Sequence, residues 1–318
     1  MRGVLAGALF GLVLAMLAAS APAADPAGAG YRVLGQDNGH VAIVNAQGEV
    51  EWEVECKHNS HDIALLENGN LLLHTGPAKV VEMTPAKQVV WQYECRPKPP
   101  YAGRVEIHAF QRLPDGLTLV AESGNRRIVE VDQSGKIVKE APLVVEHPEP
   151  HRDTRLVRKL ANGHYLVCHE GDGTVREYDG DGKVVWSYAL DLAGRPRSPG
   201  HGPEGHGTEC FAALRLSSGN TLIACGNGNR VIEVTPAGKI VWSIEQKELP
   251  GITLAWVTTL ELLPSGNLIF GNTHAGEANP QLIEVTREKK VVWTFRNFKT
   301  FGNSLAAAMV LDVKGVTR

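Results

Sequence analysis

The fold is decided by a short stretch, "GKIVWSI", which runs from Gly238 to Ile244. Nearly the same residues, "GKVVWSY", run from Gly182 to Tyr188, and looser copies end at Val54, Tyr93 and Phe295. Self-similarity at a period of about 40 to 50 residues indicates a repeat architecture and suits a four-stranded propeller blade. The chain is therefore expected to build one sheet several times over.

Two further elements recur with the tryptophan. One is Leu-x-x-Gly-Asn-x-Leu, as in "LLENGNLLL", and the other is an apolar-Glu-apolar triplet centred on Glu82, Glu130, Glu177, Glu233 and Glu284. Strands rich in Val, Ile and aromatic residues, separated by Gly, Asn, Pro and Ser turns, are the signature of hairpins. We predict an all-β, six-bladed β-propeller. The repeated Trp is expected to be buried between sheets as a packing anchor, and the repeated Glu to bond backbone or the next blade.

The predicted domains are a signal peptide over residues 1–23 and a single propeller over 24–318. Arg2, an apolar run and the small residues Ala21 and Ala23 are typical of a signal peptide. The first repeat has only three strands, so we expect a C-terminal strand to complete it and remove the open sheet edges. The predicted blades cover residues 31–54 with 303–313, then 55–95, 104–141, 149–190, 206–246 and 253–297.

Composition narrows the function classes. The formal net charge is −3, and no basic stripe is present to bind nucleic acid. After the signal peptide no apolar run is long enough to span a bilayer, so we expect a monomeric protein that is periplasmic or secreted. Among the 5 cysteines, Cys56 and Cys95 hold matching positions in neighbouring repeats. A disulfide between them is left open, because equivalent points in adjacent blades usually lie too far apart.

The irregular segments are predicted to share one face of the propeller. Turns between strands one and two, and between three and four, are short, whereas "ECRPKPPYAGR", "EHPEPHRD", "DLAGRPRSPGHGPEGHG" and "NTHAGEANPQ" connect blades or strands two and three. Of the 12 histidines, His164 alone falls in a tight turn. Long loops on one side of a rigid scaffold commonly carry function, so a histidine-lined binding face is expected there.

Alignment of the innermost strands isolates one inward register, which holds His61, His108, Arg155, Phe211 and Thr258. We take His61, His108 and Arg155 as candidate catalytic residues, since imidazoles and a guanidinium can move a proton and hold an anion. The ends of the second strands add further polar residues, including Cys225 and, nearby, His74. The candidate binding residues are Asp62, Glu122, His169, Glu209, Trp256, Asn272 and His274. The alternative is a water-filled polar channel in which these groups satisfy one another.

No metal-ligand set is assigned from the sequence. "HGPEGH" (His201, Glu204, His206) and "HNSH" (His58, His61) contain metal-binding residue types. Neither has the helix or the Cys-x-x-Cys knuckle that makes a zinc site convincing. The cofactor is left unknown, with a divalent metal as one option. The sequence also contains no phosphate-binding glycine loop and no Gly-x-Ser-x-Gly elbow.

The stretch "DGKVVWSY" resembles the quinoprotein-type, or PQQ-like, propeller repeat, and "LPDGLTLVAESGNRRIVEVDQSGKIV" resembles an NHL repeat. These resemblances cover nearly the whole mature chain and imply the propeller fold. Quinone-binding members of the first family generally have eight blades and a vicinal disulfide. This chain has six predicted blades and no adjacent cysteines, so PQQ itself is not expected.

"SHDIALLENGNLLL" and "EIHAFQRLPDG" resemble two strands of the bacterial arylsulfotransferases, which are exported six-bladed propellers. The resemblance places His61, Asp62 and His108 on motifs of that family, in which a channel histidine transiently carries a sulfuryl group. The chain departs from the family at Phe211 and Thr258, where no histidine stands, and it lacks the amino-terminal β-domain of the family.

Three hypotheses follow from the sequence. The leading one is an exported propeller that binds a small molecule or a protein on its loop-rich face. The alternative is an enzyme of arylsulfotransferase, group-transfer or lyase type that uses His61, His108 and Arg155. The third is a structural scaffold with a flat apolar patch. A groove edged by Trp256 and Tyr101 would favour binding, whereas a closed pocket around the candidate catalytic residues would favour an enzyme.

Overall fold

A computed structural model describes residues 30–318 of the chain. The predicted signal peptide, residues 1–23, lies outside the described residues. The first two blades contain β1 (Val33–Asp37), β2 (His40–Val44), β3 (Val50–Glu55), β4 (Ala64–Leu65), β5 (Leu71–Gly76), β6 (Lys79–Met83) and β7 (Val89–Glu94). The third and fourth contain β8 (Glu106–Arg112), β9 (Thr118–Ser123), β10 (Arg127–Val131), β11 (Ile137–Pro142), β12 (Val157–Lys159), β13 (Tyr165–His169), β14 (Thr174–Tyr178) and β15 (Val184–Ala189).

The remaining elements complete six four-stranded antiparallel sheets. They are β16 (Ala212–Arg215), β17 (Thr221–Ala224), β18 (Val231–Val234), β19 (Ile240–Ile244), β20 (Val257–Leu262), β21 (Leu268–Asn272), β22 (Leu282–Val285), β23 (Val291–Phe295), the short helix α1 (Phe298–Phe301) and β24 (Ala307–Val310). The predicted all-β, six-bladed propeller is confirmed. In the part of the chain that the structure describes, no helix is long and apolar enough to cross a membrane.

The ring is closed as the sequence predicts. Strand β24 pairs with β1, with Val33 opposite Val310 and Gln36 opposite Ala307, and so supplies the innermost strand of the first blade. Leu305, Ala308 and Val310 then pack in a cluster that joins the first and last blades. Because the chain ends pair in one sheet, the inner edge of β1 is covered by β24 and is not exposed.

The repeated glutamates connect neighbouring blades, in agreement with the prediction. Glu82 accepts a hydrogen bond from Arg112 (2.6 Å) and Glu177 from Arg215 (2.6 Å). The other three bond to Lys159 and Tyr165, to Arg287, and to Tyr31 in the first blade. Five of the six junctions between blades therefore carry a glutamate contact of this kind as well as apolar packing, and the exception is the junction of the first and second blades, where Ile43 replaces the glutamate.

The repeated tryptophans lie between blades, as predicted, but most of them are less deeply buried than predicted. Four of the five, Trp52, Trp186, Trp242 and Trp293, are only half-buried, and Trp91 alone is fully buried. They lie on the outermost strand of each blade, where each ring packs against the apolar cluster shared with the next blade. The indole N–H donates to a turn carbonyl of that next blade, for example that of Pro85 (2.8 Å) or Pro236 (2.9 Å). The tryptophan therefore joins neighbouring blades by packing and by a hydrogen bond.

All five cysteines are buried free thiols. Cys56 packs in the cluster between the first and second blades, whereas Cys95 packs in the cluster between the second and third. The two residues belong to different interfaces, which explains why they form no disulfide.

Candidate functional site

The central channel is filled by side chains. The space between the inner strands near His61, Asp62, Arg158 and Glu261 has a volume of about 20 Å³. A single water molecule needs roughly this much room. A ligand larger than water therefore has no room in this part of the channel.

The structure brings together four of the five residues of the inward register. The His61 ring lies 4.8 Å from that of His108 and 5.9 Å from that of Phe211, centroid to centroid. Arg155 Nη1 lies 3.1 Å from His108 Nδ1. Thr258 is engaged elsewhere, through a 2.9 Å hydrogen bond with the hydroxyl of Thr273. The candidate catalytic residues His61, His108 and Arg155 thus share one buried cluster.

Sequence reasoning missed two members of this cluster, Glu106 and His151. Glu106 Oε2 lies 2.7 Å from His108 Nε2 and 2.9 Å from His151 Nδ1. Glu106 stands two residues before His108 on β8, and this short spacing was a signal available in the sequence. His151 lies in the irregular segment "EHPEPHRD", where no periodicity predicts a position.

Burial and pairing set the charges of the cluster. Burial lowers the pKa of His108 to about 4. The hydrogen bond to Glu106 raises this pKa, and the charge of Arg155 lowers it further. Burial alone would raise the pKa of Glu106, but hydrogen bonds from His108 and His151 outweigh it and hold that pKa below its usual range. At neutral pH the cluster therefore contains a carboxylate and a neutral His108.

Beside the cluster, the loop-rich face holds an open cavity of about 560 Å³. Its walls come from three irregular connections, which contribute His151 and Arg152, then Arg197 to Glu209, and finally Trp256. The Trp256 and His201 rings stack at 4.3 Å between centroids. The cavity is thus lined by an aromatic pair and by guanidinium groups. A cavity of this size accommodates a small organic molecule.

A chain of alternating charges runs along the floor of this cavity. Arg155 pairs with Glu170, and Arg152 bridges Glu170 and Glu209 at 3.0 Å each. Arg197 Nη1 lies 3.1 Å from Glu209 Oε1. Three guanidiniums face two carboxylates, so the floor carries one excess positive charge. Such a surface favours an anionic ligand.

Trp256 adopts a conformation that tryptophan rarely tolerates, with φ at +35°. Its backbone N–H donates to Asn229 Oδ1 at 3.0 Å, and Asn229 Nδ2 donates to the carbonyl of Gly205 at 2.7 Å. Backbone strain of this kind persists only where surrounding contacts enforce it, and it is concentrated at functional sites. The two bonds fix the indole at the cavity wall.

Several candidate binding residues lie outside the cavity. Asp62 pairs with Arg158 (2.8 Å), and Asn272 Oδ1 accepts from the N–H of Ala255 (2.8 Å). Glu122 is held by Tyr93 and by Arg127 (2.7 Å), so the carboxylate beside His108 is Glu106 rather than Glu122. Three other candidates do meet the cavity region, namely Glu209 and Trp256 in its walls and His274 beside the His201 ring.

His169 packs between β-strands rather than at the cavity. Its Nδ1 lies 2.7 Å from the carbonyl of Asp153, and its Nε2 lies 2.8 Å from the hydroxyl of Tyr178. Burial lowers the pKa of His169 to about 4, with a further decrease from the charge of Arg176 and an opposing contribution from Asp172. The neutral imidazole is therefore part of the folded structure.

This predicts a specific loss of stability in acid. In the unfolded chain this imidazole is protonated below its ordinary pKa of about 6.5, whereas in the folded chain it stays neutral down to about pH 4. The free energy of unfolding therefore falls as the pH falls through this range. At about pH 5 this residue lowers the free energy of unfolding by about 2 kcal/mol relative to neutral pH. Urea unfolding at neutral pH and in mild acid should show a smaller pH dependence for His169→Gln than for the unsubstituted protein. Equal pH dependence in both would contradict the assignment.

The six blades, their PQQ-like repeats and the closed ring define a β-propeller repeat protein of the PQQ-like class. The family model described as "Outer membrane protein assembly factor BamB" matches residues 108–308, which is more than half of the chain. The chain belongs to this family. No curated protein sequence matches it.

Similar solved structures extend the comparison. A protein of unknown function from Bacteroides caccae is 25% identical, with a TM-score of 0.73 over 89% of this chain and 99% of that one. A streptogramin B lyase is 13% identical, with a TM-score of 0.53 over 85% and 83% of the two chains. A catalytically inactive virginiamycin B lyase from Staphylococcus aureus, solved with quinupristin, is 14% identical with a TM-score of 0.51 over 84% of each chain. The similarity to the two lyases shows the shared fold alone.

Proposed function

We propose that this chain is an exported propeller that binds a small anionic molecule with a flat apolar part in the cavity of its loop-rich face. The observation that carries the proposal is that one cavity is lined both by the aromatic pair Trp256 and His201 and by the guanidiniums of Arg152, Arg155 and Arg197. The aromatic pair suits a planar group, and the guanidiniums suit a carboxylate, sulfate or phosphate. Export is supported by the signal-like residues 1–23 and by the family, whose description names an outer-membrane assembly factor.

A small ligand is favoured over a protein partner by the shape of this face. Arg155 and Glu170 line the cavity with side chains only 3% and 4% exposed, so a flat protein surface would reach little of either. Small-molecule sites are typically cavities of this kind with a few convergent polar groups.

Binding can be measured through Trp256. The other five tryptophans lie on the fourth strands at the circumference, so Trp256 is the indole that a nitrophenyl group in the cavity would quench. We expect at least one of 4-nitrophenyl sulfate, 4-nitrophenyl phosphate and 4-nitrobenzoate to quench the fluorescence saturably. If none does so at concentrations up to about 1 mM, the proposal is wrong.

Arg152→Met is the informative substitution, because Arg155 still pairs with Glu170 and Arg197 still pairs with Glu209. The loss of one charge-assisted hydrogen bond to the ligand should weaken binding by about tenfold. Arg126→Met is the matched control, since Arg126 is exposed on the turn between β9 and β10, on the same face, and does not line the cavity. Equal weakening by both variants would point to diffuse surface charge instead of the cavity.

An enzyme of group-transfer or lyase type is the second candidate. It is favoured by the contact of His61, His108 and Arg155, which combines a nucleophile or base with an anion-holding group. Turnover of 4-nitrophenyl sulfate with a phenol acceptor would support it if release of nitrophenol is lost in His108→Ala. Saturable binding without any turnover would leave the chain as a binding protein.

A further inference from the structure

Three potential metal-ligand atoms lie close together in the cluster, one each from Glu106, His108 and His151. These atoms, one carboxylate oxygen and two imidazole nitrogens, all lie within 4.8 Å of one another. The rings of His108 and His151 are 5.3 Å apart, centroid to centroid, and nearly perpendicular at 84°. Two imidazoles that share one metal ion stand at about this separation, because each nitrogen lies about 2.1 Å from the ion.

The strand that carries Glu106 and His108 contains a β-bulge. In the pairing of β8 with β9, the register shifts between Ile107 and Ala109, so His108 occupies an extra position in the strand. Bulges of this kind redirect side chains and are common beside active sites. His151 approaches from the connection between β11 and β12, and the group is therefore assembled from a rigid strand and a loop.

The partners around the group are those expected of a metal site. Without a metal ion, His108 Nε2 donates to Glu106 Oε2 at 2.7 Å; with an ion bound at Nε2, the proton would move to Nδ1, which lies 2.9 Å from the carbonyl of Thr154 and can donate there. Backbone carbonyls commonly fix the tautomer of metal-bound histidines in this way. Glu106 and His108 are almost fully buried, with side chains only 7% and 2% exposed. The carboxylate is therefore not one of the solvated acidic groups that are common at protein surfaces.

Two arginines stand near the group, and their charges must be accommodated. Arg155 is next to His108, but its charge is balanced by Glu170. Arg104 contacts Glu106, but its side chain is 62% exposed, so it can turn into solvent when a cation takes its place.

We propose that Glu106, His108 and His151 bind a divalent transition metal ion of the zinc, cobalt, manganese or iron(II) type. Two imidazoles and one carboxylate are the ligand set of catalytic zinc sites and of non-haem iron sites. Three protein ligands leave coordination positions open. His151 also lines the cavity, so the open positions face the place where an anionic ligand would bind. The proposal rests on the three ligands and does not require the ligand proposed above.

The test is titration of tag-free, chelator-treated protein with Zn²⁺ by calorimetry and with Co²⁺ by visible absorption. We expect one ion per chain, bound with a Kd of about 1 μM or tighter, and cobalt bands typical of four or five ligands. His151→Ala should weaken binding by about a hundredfold, and Glu106→Gln by at least about tenfold. His151 is half-exposed, so its removal leaves the fold intact, which circular dichroism verifies.

His147→Ala is the matched control. His147 lies in the same connection, is exposed, and also contacts a carboxylate, that of Asp172, at 3.3 Å. It should bind metal as the unsubstituted protein does. The proposal is overturned if no stoichiometric ion binds, if His151→Ala retains full affinity, or if His147→Ala loses as much. Nitrophenyl binding measured in the presence of a chelator tests the cavity separately, so the two proposals can fail independently.

Discussion

A chain that ends at Asn303 should fail to form the closed propeller. The deletion removes β24, and with it the four register pairs that join the chain ends in the first blade. It also takes Leu305, Met309, Val310 and Leu311 out of two interblade clusters. Large buried side chains contribute about 2 to 5 kcal/mol each, whereas whole domains are stable by about 5 to 15 kcal/mol. The truncated chain should therefore lose its cooperative unfolding transition and aggregate through the exposed edge of β1.

Addition of the missing segment as a peptide provides the control. A synthetic peptide of residues 304–318 should insert beside β1 and restore the transition, because the hydrogen bonds and side chains of β24 are all contained in it. A peptide of the same composition in scrambled order should not. Circular dichroism and thermal melts check both results. If the truncated chain melts like the full one, closure does not stabilise this propeller.

The architecture could be predicted because most blades repeat the same signals. The tryptophan, the glutamate triplet and the turn glycine each recur at one period, so a missing signal in one repeat is supplied by the others. The missing strand of the first blade was equally visible, since "SLAAAMVLDV" had no other sheet to join. The tryptophans were correctly predicted to pack between sheets, but their burial was overestimated, because a repeat pattern gives the position of a strand in the blade but not how much of each side chain reaches solvent.

The candidate site was predicted best where the repeats align. His61, His108 and Arg155 follow from the shared register of the innermost strands, although His61 and Arg155 lie just before β4 and β12, and the structure brings them together. Glu122 and Asn272 also follow from register, but at the ends of β9 and β21 their side chains bond to neighbouring segments instead of the cavity. The cavity itself is formed by three loops, and its depth depends on how Arg152, Arg197 and Trp256 fold back. No periodic pattern determines loop geometry.

The second large effect is expected at Glu170. Arg155 and Glu170 form an ion pair whose side chains are only 3% and 4% exposed. In Glu170→Leu the guanidinium stays buried without its carboxylate, which costs about 3 to 5 kcal/mol. Glu140→Gln, which alters an exposed pair with Lys98 and Arg127, should cost less than about 1 kcal/mol. Urea unfolding of both variants measures the difference.

The double substitution Arg155→Met with Glu170→Leu separates the cost of an unpaired charge from the value of the pair. Replacement of a buried ion pair by apolar groups of similar volume is often neutral for stability. The double variant should therefore recover most of the stability that Glu170→Leu loses. It should still bind nitrophenyl anions more weakly, because one of the three guanidiniums in the cavity is gone. A double variant as unstable as Glu170→Leu would mean that the pair stabilises the fold directly. If the double variant is stable and binds more weakly, the buried ion pair contributes to ligand binding and not to the stability of the propeller.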